Sequence, residues 1–302
     1  MSRLLLLTIA AGTLLLAGCS LKRMALDQTA GILKDAMPAF ERDWDFELVA
    51  TALPGNIKMI EGFLEAGPDN RDLILLAAQG YASYALVVLE DRLEQLEEDS
   101  PEANRLTMRT REMYLRGHRY GLRLLEQRHP GARKAFKGNV SALKPFLARC
   151  KKEDVPGLFW AGMPLAAAIN ISRDDVSMIA LMPKAKALIA RAITLDERYY
   201  HAAGHMIFGA LFGSMGKMLG GDPKQAKKHF DRALSLTKRR FLLVQAMYAK
   251  TLAVQLQDRA LFKKLCDEVL AAKLSIDPEQ KLANVAAKRR ARRLLARIDE
   301  LF

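Results

Sequence analysis

Two histidines and a glutamate have a spacing that could serve metal chemistry. His201 and His205 are four residues apart and Glu197 comes one helical turn earlier, so all three would share one face of a helix. The residue after His201 is Ala202 rather than the glutamate of a zinc protease motif, and no third ligand is evident. We therefore expect packing or hydrogen-bonded histidines here and no bound metal.

Other catalytic patterns are not found in the sequence. No serine or cysteine lies in a nucleophile elbow, no phosphate-binding loop appears, and no pair of carboxylates can be singled out for glycosidase chemistry. The sequence thus predicts a protein that binds a partner or ligand, carries no cofactor and is not an enzyme.

Aromatic residues form the main candidate binding surface. Most of them are expected in the core, but some could line a groove or cavity, since concave surfaces of helical repeats bind peptides and partner helices. The candidate groove residues are Phe159, Trp160, Tyr199, Tyr200, His205, Phe208 and Phe212.

The amino end predicts a lipid anchor. Arg3 precedes an apolar run from Leu4 to Leu16, which has the length of a signal-peptide core and is too short to span a bilayer. The run ends in Leu16-Ala17-Gly18-Cys19, which resembles the lipobox of bacterial lipoproteins. The alternative is an ordinary secretory signal, but no A-x-A cleavage site follows. We expect residues 1–18 to be a signal peptide, Cys19 to be lipidated, and Ser20 to favour the outer over the inner membrane.

Net charge and cysteine content indicate which kinds of partner and which compartment to expect. Removal of the 18-residue signal leaves 284 residues and lowers the net charge from +13 to +12. In an envelope protein this charge favours anionic head groups or an acidic protein rather than nucleic acid. No later stretch reads as a membrane span. Cys150 and Cys266 could form a periplasmic disulfide or remain two buried thiols.

The body is predicted to be all-α. Apolar residues recur at three- and four-residue spacing, and capping residues followed by proline mark helix starts at Ser100, Asp222 and Asp277. Ser172 is a further predicted helix start.

A repeat is visible at an offset of 41 residues. Ala185, Ile189 and Ala192 have the same small–large–small spacing as Ala226, Phe230 and Ala233. This spacing is similar to the second helix of a tetratricopeptide repeat, so we expect a solenoid of antiparallel helix pairs. Residues 19–45 would form the lipidated tether and first helix, and residues 46–302 the helical domain.

The last helix, roughly Pro278–Phe302, has one apolar and one basic face. The simpler interpretation is a solvated helix that caps the solenoid. The alternative is a basic rim at Arg289, Arg290 and Arg293 that faces an acidic partner or lipid.

Several short motifs occur along the body in a fixed order. They are, in chain order, Ala52-Leu53-Pro54-Gly55 with Glu61, Pro68-Asp69-Asn70, Ala78-Gln79-Gly80-Tyr81, Phe159-Trp160, Gly220-Gly221-Asp222 with Ala226 and Phe230, Gln257-Asp258-Arg259 with Phe262, and Asn284 with Ala287-Lys288. Together these motifs resemble the TatT family, the tetratricopeptide-like T-component associated with TRAP transporters. The resemblance covers roughly residues 45–302.

The resemblance implies a periplasm-facing lipoprotein that binds the TRAP substrate-binding protein. It also implies a homotrimer whose protomers contain a pore or cavity that admits a hydrophobic ligand. The sequence departs from the family pattern in its basic charge and at Gly209-Ala210-Leu211-Phe212, near a segment that often contains proline. The alternative function is an envelope-assembly or pilotin-like scaffold, which would also be a repeat lipoprotein.

Overall fold

The computed structural model describes residues 22–216 and 220–302, and within these ranges the chain is all-helical with no strand. The predicted signal peptide and the predicted lipidation site at Cys19 lie outside the described residues. The helices, in chain order, are α1 (residues 22–36), α2 (Pro38–Glu41), α3 (Phe46–Ala66), α4 (Arg71–Ser83), the π-helical segment π1 (Tyr84–Leu89), α5 (Glu90–Leu93), α6 (Pro101–Arg128), α7 (Ala132–Lys137), α8 (Val140–Arg149), α9 (Val155–Asn170), α10 (Val176–Ile179), α11 (Met182–Leu195), α12 (Tyr199–Gly213), α13 (Pro223–Leu236), α14 (Leu243–Tyr248), the π-helical segment π2 (Ala249–Ala253), α15 (Arg259–Ala271), α16 (Lys281–Ala296) and α17 (Ile298–Leu301).

Two predicted helix starts are confirmed. The side chain of Ser100 accepts a hydrogen bond from the backbone N–H of Ala103, and that of Asp222 accepts from Lys224 and Gln225. In both helices a proline occupies the first turn, where its missing N–H removes no intrahelical bond. These caps fix where α6 and α13 begin.

Two other starts differ from the prediction. The helix expected at Ser172 begins three residues later, because Asp175 caps the backbone of Ser177 and Met178. Asp277 makes no capping bond, and Pro278–Gln280 forms a short 3₁₀ turn before α16.

The predicted repeat residues lie in the core. Ala185, Ile189 and Ala192 of α11 are buried, as are their counterparts in α13. Between these two helices in the chain, α12 packs on both. The tetratricopeptide-type solenoid stays a prediction.

Helix α9 lies at the centre, packed against α4, α6, α11 and α12. Gly121 of α6 allows the closest approach, because a Cβ atom there would overlap the backbone of Trp160 and Ala161. Tight contact between these helices therefore depends on a residue without a side chain.

The carboxyl-terminal helix joins the two ends of the chain. α16 packs on α14 and α15 and also on α2, α3 and α5. It stops at Ala296, so the single helix predicted to reach Phe302 is interrupted at Arg297, whose backbone leaves the helical conformation. Its role as a solenoid cap stays a prediction.

One helix meets the criteria for a membrane span, contrary to our expectation. The continuous helix Arg71–Leu93 is long and apolar enough to cross a bilayer, but most of it is buried within the helical core. Core helices of soluble proteins pass the same test.

Of the two alternatives for the body cysteines, the structure has buried free thiols. Cys150 and Cys266 are both buried and unpaired.

Candidate functional site

A largely apolar cavity of about 410 Å³ lies within the helical body. Its wall is built from α4 with π1, from α9 and α12, from α14 with π2, and from α16. This volume lies in the range of small-molecule sites. The apolar lining includes Leu86, Val87, Phe159, Trp160, Met163, Met206, Ile207, Leu211, Phe241, Leu243 and Met247.

The backbone departs from the α-helix at three places on the cavity wall. π1 contributes Val87, π2 contributes Thr251, and Tyr200 begins a run of three left-handed residues in α12. Short π-helical segments occur often at functional sites. Left-handed backbone costs roughly 1–2 kcal/mol for each residue other than glycine, so surrounding contacts must hold it. These irregular segments converge on one cavity and mark it as the candidate site.

The first part of the predicted aromatic groove forms one end of this cavity. The Trp160 ring lies 5.0 Å from the Phe159 ring and 4.8 Å from the Tyr200 ring, centroid to centroid, and all three side chains line the cavity. Tyr199 lies behind them, where its hydroxyl oxygen accepts a 3.1 Å hydrogen bond from Trp160 Nε1.

The other predicted groove residues lie outside the cavity lining. His205, Phe208 and Phe212 contact His229 of α13, with ring centroids 5.0–5.9 Å apart. The Nδ1 atoms of His205 and His229 are 2.9 Å apart, so one of them must carry the proton. Burial and the neighbouring His205 lower the pKa of His229 to about 4, which makes a neutral pair.

The predicted stripe of Glu197, His201 and His205 is not formed. The left-handed backbone at Tyr200–Ala202 turns His201 away, and its ring stacks on Phe241 at 5.0 Å. Glu197 instead forms an ion pair with Arg232, and its Oε2 lies 3.5 Å from Nε2 of His205.

A second end of the cavity is charged. Glu90, Lys250 and Arg290 line it and belong to a set of interlocked ion pairs, the charge cluster, which joins α5 and π2 to α16. The cluster comprises Glu90, Asp91, Glu94, Lys250, Arg289, Arg290 and Arg293. Its shortest contacts include Lys250 Nζ to Glu94 Oε1 at 2.7 Å and Arg290 Nε to the same oxygen at 2.8 Å.

The predicted basic rim belongs to this charge cluster. Arg289 and Arg293 are partly exposed and both pair with Asp91, at 2.9 and 2.7 Å. Arg290 is only 4% exposed, so it is buried rather than at a rim, because Glu90 and Glu94 compensate its charge inside the fold. A partner surface at Arg289 and Arg293 stays a prediction.

One group of potential metal ligands was missed in the sequence. Donor atoms of His129, Cys150 and Asp154 lie within 4.8 Å of one another. Asp154 already accepts hydrogen bonds from Arg128 Nε at 2.6 Å and from the Lys151 backbone at 2.8 Å. Burial raises the pKa of the Cys150 thiol to about 11, which disfavours the thiolate that metals bind. The arrangement supports a structural hydrogen-bond group.

Most residues that line the cavity were also not predicted from the sequence. Met163, Met206 and Met247 lie on three separate helices, and Arg173, Ser214 and Gln255 lie near one another on another part of the wall, where Arg173 is exposed to solvent. The available signal was the sequence of α9, which is apolar on all faces and so must be surrounded by other elements.

The described residues thus form an all-helical body around a largely apolar cavity. The family model of the TRAP transporter T-component (TAtT) matches residues 42–302. The chain belongs to this family, which is one of transporter components and suggests a location in the cell envelope. An uncharacterized protein of Treponema pallidum (strain Nichols) is 30% identical over 97% of this chain and 95% of that protein.

Proposed function

We propose that the protein is a lipid-anchored, periplasm-facing adaptor of a TRAP-type solute uptake system. It binds the substrate-binding subunit and holds a hydrophobic ligand in the cavity. Membership of the T-component family is the observation that carries this proposal. The lipobox-like sequence that ends at Cys19 supports the anchor, and Ser20 favours the outer membrane.

The cavity supports the ligand-holding part of the proposal. Its wall is mostly apolar, and Trp160 and Tyr200 line it in contact with each other. Burial of apolar ligand surface stabilises a complex by about 25 cal/mol per Å². A cavity of this size can therefore retain a small apolar molecule and present it to the binding subunit.

The anchor is tested by membrane fractionation of cells that express the chain. A Cys19→Ala variant should move from the membrane to the soluble fraction, since two or three acyl chains give stable anchoring. Cys150→Ala is the matched control and should remain in the membrane. Tight membrane association of the Cys19→Ala variant would contradict the anchor.

Partner binding is tested with the TRAP substrate-binding protein of the same genome. The two purified proteins should form a complex in sedimentation velocity runs, which also report whether the chain itself is a trimer. An unrelated periplasmic binding protein serves as the control. No complex at high micromolar concentration would overturn the adaptor function.

Ligand holding is tested by native mass spectrometry of the Cys19→Ala chain, which can be purified without detergent. We expect a defined small molecule bound to the protein. Ala167→Trp, on the cavity wall, should displace it, whereas Ala190→Trp, on the exposed face of α11, should not. Equal retention in both variants would place the ligand elsewhere.

A further inference from the structure

We propose that the cavity accepts a single-chain amphiphile with a carboxylate head group, and that Arg173 binds this carboxylate at the cavity opening. This inference rests on the ligand-holding part of the proposed function and names the class of ligand.

Three cations line the cavity, and two of them are already neutralised. Lys250 pairs with Glu94, and Arg290 pairs with Glu90 and Glu94. Arg173 forms no ion pair with any carboxylate in the described ranges. The undescribed residues, 1–21 and 217–219, contain no aspartate or glutamate that could supply one.

Neighbouring acids are committed elsewhere or face solvent. Asp175 pairs with Arg111 at 3.2 Å and caps α10. Asp174 is exposed and forms no ion pair with Arg173. Partial burial lowers the pKa of the Arg173 guanidinium, and no carboxylate offsets this effect. The side chain is thus a positive charge without a counterion at the edge of an apolar space.

The hydrogen bonds of Arg173 orient its guanidinium. Nε donates to the Asn170 carbonyl oxygen at 3.1 Å, Nη1 donates to the Ser214 carbonyl oxygen at 3.1 Å, and Nη2 donates to the Asn170 side chain. A guanidinium has five N–H donors, so one donor remains on each terminal nitrogen. These two donors remain available for charge-assisted hydrogen bonds to a carboxylate.

Two further polar atoms at this opening lack a partner within the described part of the chain. They are Ser214 Oγ and Gln255 Oε1, both shielded from solvent. A serine hydroxyl can donate a hydrogen bond to a carboxylate oxygen. Buried polar atoms are usually satisfied in proteins, and a bound carboxylate would satisfy the Ser214 hydroxyl, whereas Gln255 Oε1 can only accept and gains no partner from it.

The shape of the cavity matches one chain with one head. Lining residues of α9 run from Phe159 to Asn170, which corresponds to roughly 16 Å along the helix. Arg173 follows shortly after this helix and is exposed to solvent, while Trp160 and Phe159 lie in the first half of the same helix. One unpaired cation balances one negative charge, which favours a monoanionic carboxylate over a doubly charged phosphate.

The test uses Trp160 as a reporter in the cavity wall. The chain has two tryptophans, so Trp44→Phe leaves Trp160 alone. The mature chain also carries Cys19→Ala, so that no detergent competes, and is stripped of lipid before titration with dodecanoate or the neutral dodecanol. We expect dodecanoate to bind at least tenfold more tightly than dodecanol at neutral pH.

Variants assign that preference to Arg173. Arg173→Met should weaken dodecanoate about tenfold or more and leave dodecanol within twofold. Arg173→Lys, which keeps the charge but not the guanidinium donors, should have an intermediate affinity for dodecanoate. Arg149→Met, an exposed arginine of α8, is the matched control and should change neither affinity.

Each contrary result has a distinct meaning. Equal affinity of the unaltered cavity for both probes, or equal loss of both in Arg173→Met, would overturn the carboxylate site while leaving an apolar ligand cavity. If neither probe changes Trp160 fluorescence and Ala167→Trp retains the native ligand, the ligand-holding function itself fails, and this inference fails with it.

Discussion

Arg290 shows how a charge can be held inside this fold. It is 4% exposed, yet it contacts Glu90 at 3.1 Å and Glu94 at 2.8 Å, and the Tyr114 hydroxyl donates to Glu90 at 2.6 Å. Burial disfavours the charged form, but the two carboxylates hold the pKa of Arg290 above its ordinary value. Loss of one partner would leave a buried charge uncompensated, which costs far more than loss of a surface pair.

Glu94→Gln should therefore destabilise the protein by about 3 kcal/mol at pH 7, measured by urea unfolding. The neighbouring cations hold the pKa of Glu94 well below that of an unfolded glutamate. On acidification the unfolded chain binds the proton first, so this contribution is complete above pH of about 4.3 and is lost as the pH falls below it. The variant should lack that part of the acid sensitivity.

Glu300→Gln is the matched control, because Glu300 forms an exposed pair with Arg297. It should be close to neutral. Equal losses in the two variants would contradict the special role of the charge cluster.

His118 is a second acid-sensitive residue. It is buried in α6, with Nδ1 2.7 Å from the Ala161 carbonyl oxygen, and burial lowers its pKa to about 4. Its imidazole should stay neutral at pH 5.5 in ¹H–¹⁵N NMR spectra. Between pH of about 6.5 and 4 the unfolded state binds a proton that the folded state excludes. The free energy of unfolding therefore decreases as the pH is lowered through this window. A titration midpoint near 6.5 would show that the side chain is solvated.

At the scale of elements, the local sequence predicts where helices begin, whereas tertiary contacts determine where the backbone leaves the α-helical conformation. The caps at Ser100 and Asp222 could be predicted from sequence, because each bond joins neighbouring residues. The π-helical segments and the left-handed turn at Tyr200 could not, since distant packing stabilises them against the local preference.

The same division applies to the candidate site. Phe159, Trp160 and Tyr200 were predicted as site residues because adjacent aromatics stand out in the sequence. Arg173 has no local signal, and Arg290 pairs with a glutamate 200 residues away. In α9, whose residues are apolar on every face, the sequence does not say which side faces the cavity.

The contact of α6 with α9 gives a test at this scale. Gly121→Ala should destabilise the protein by about 1–3 kcal/mol, because a methyl group would overlap the backbone of Trp160 and Ala161. Gly62→Ala, in α3, meets nothing within 4 Å and should stabilise by about 0.5–1 kcal/mol through helix propensity. Thermal unfolding of both variants provides the measurement, and a stable Gly121→Ala would show that the helices can separate without cost.

At the scale of the whole molecule, α16 determines how the chain is closed. It contacts the early helices α2, α3 and α5 as well as α14 and α15, and the charge cluster lies at this junction. Helix α16 also forms one wall of the cavity. Contacts between the beginning and the end of the chain therefore hold this wall in place.

Arg290→Met should loosen this closure. We expect faster hydrogen–deuterium exchange in α5, α16 and the neighbouring part of α3, with little change in α11 and α13, which lie outside the junction. Arg297→Met removes only an exposed pair and should leave exchange unaltered. A uniform increase over the whole chain in Arg290→Met would indicate global destabilisation instead.

The two buried cysteines have a consequence for the chemistry of the folded body. Burial raises the pKa of the Cys150 thiol to about 11 and that of Cys266 to about 12. Oxidants and disulfides react with thiolates, which these sulfurs scarcely form at neutral pH. Both sulfurs are thus slow to oxidise, and we expect them to remain free thiols in an oxidising as well as in a reducing compartment.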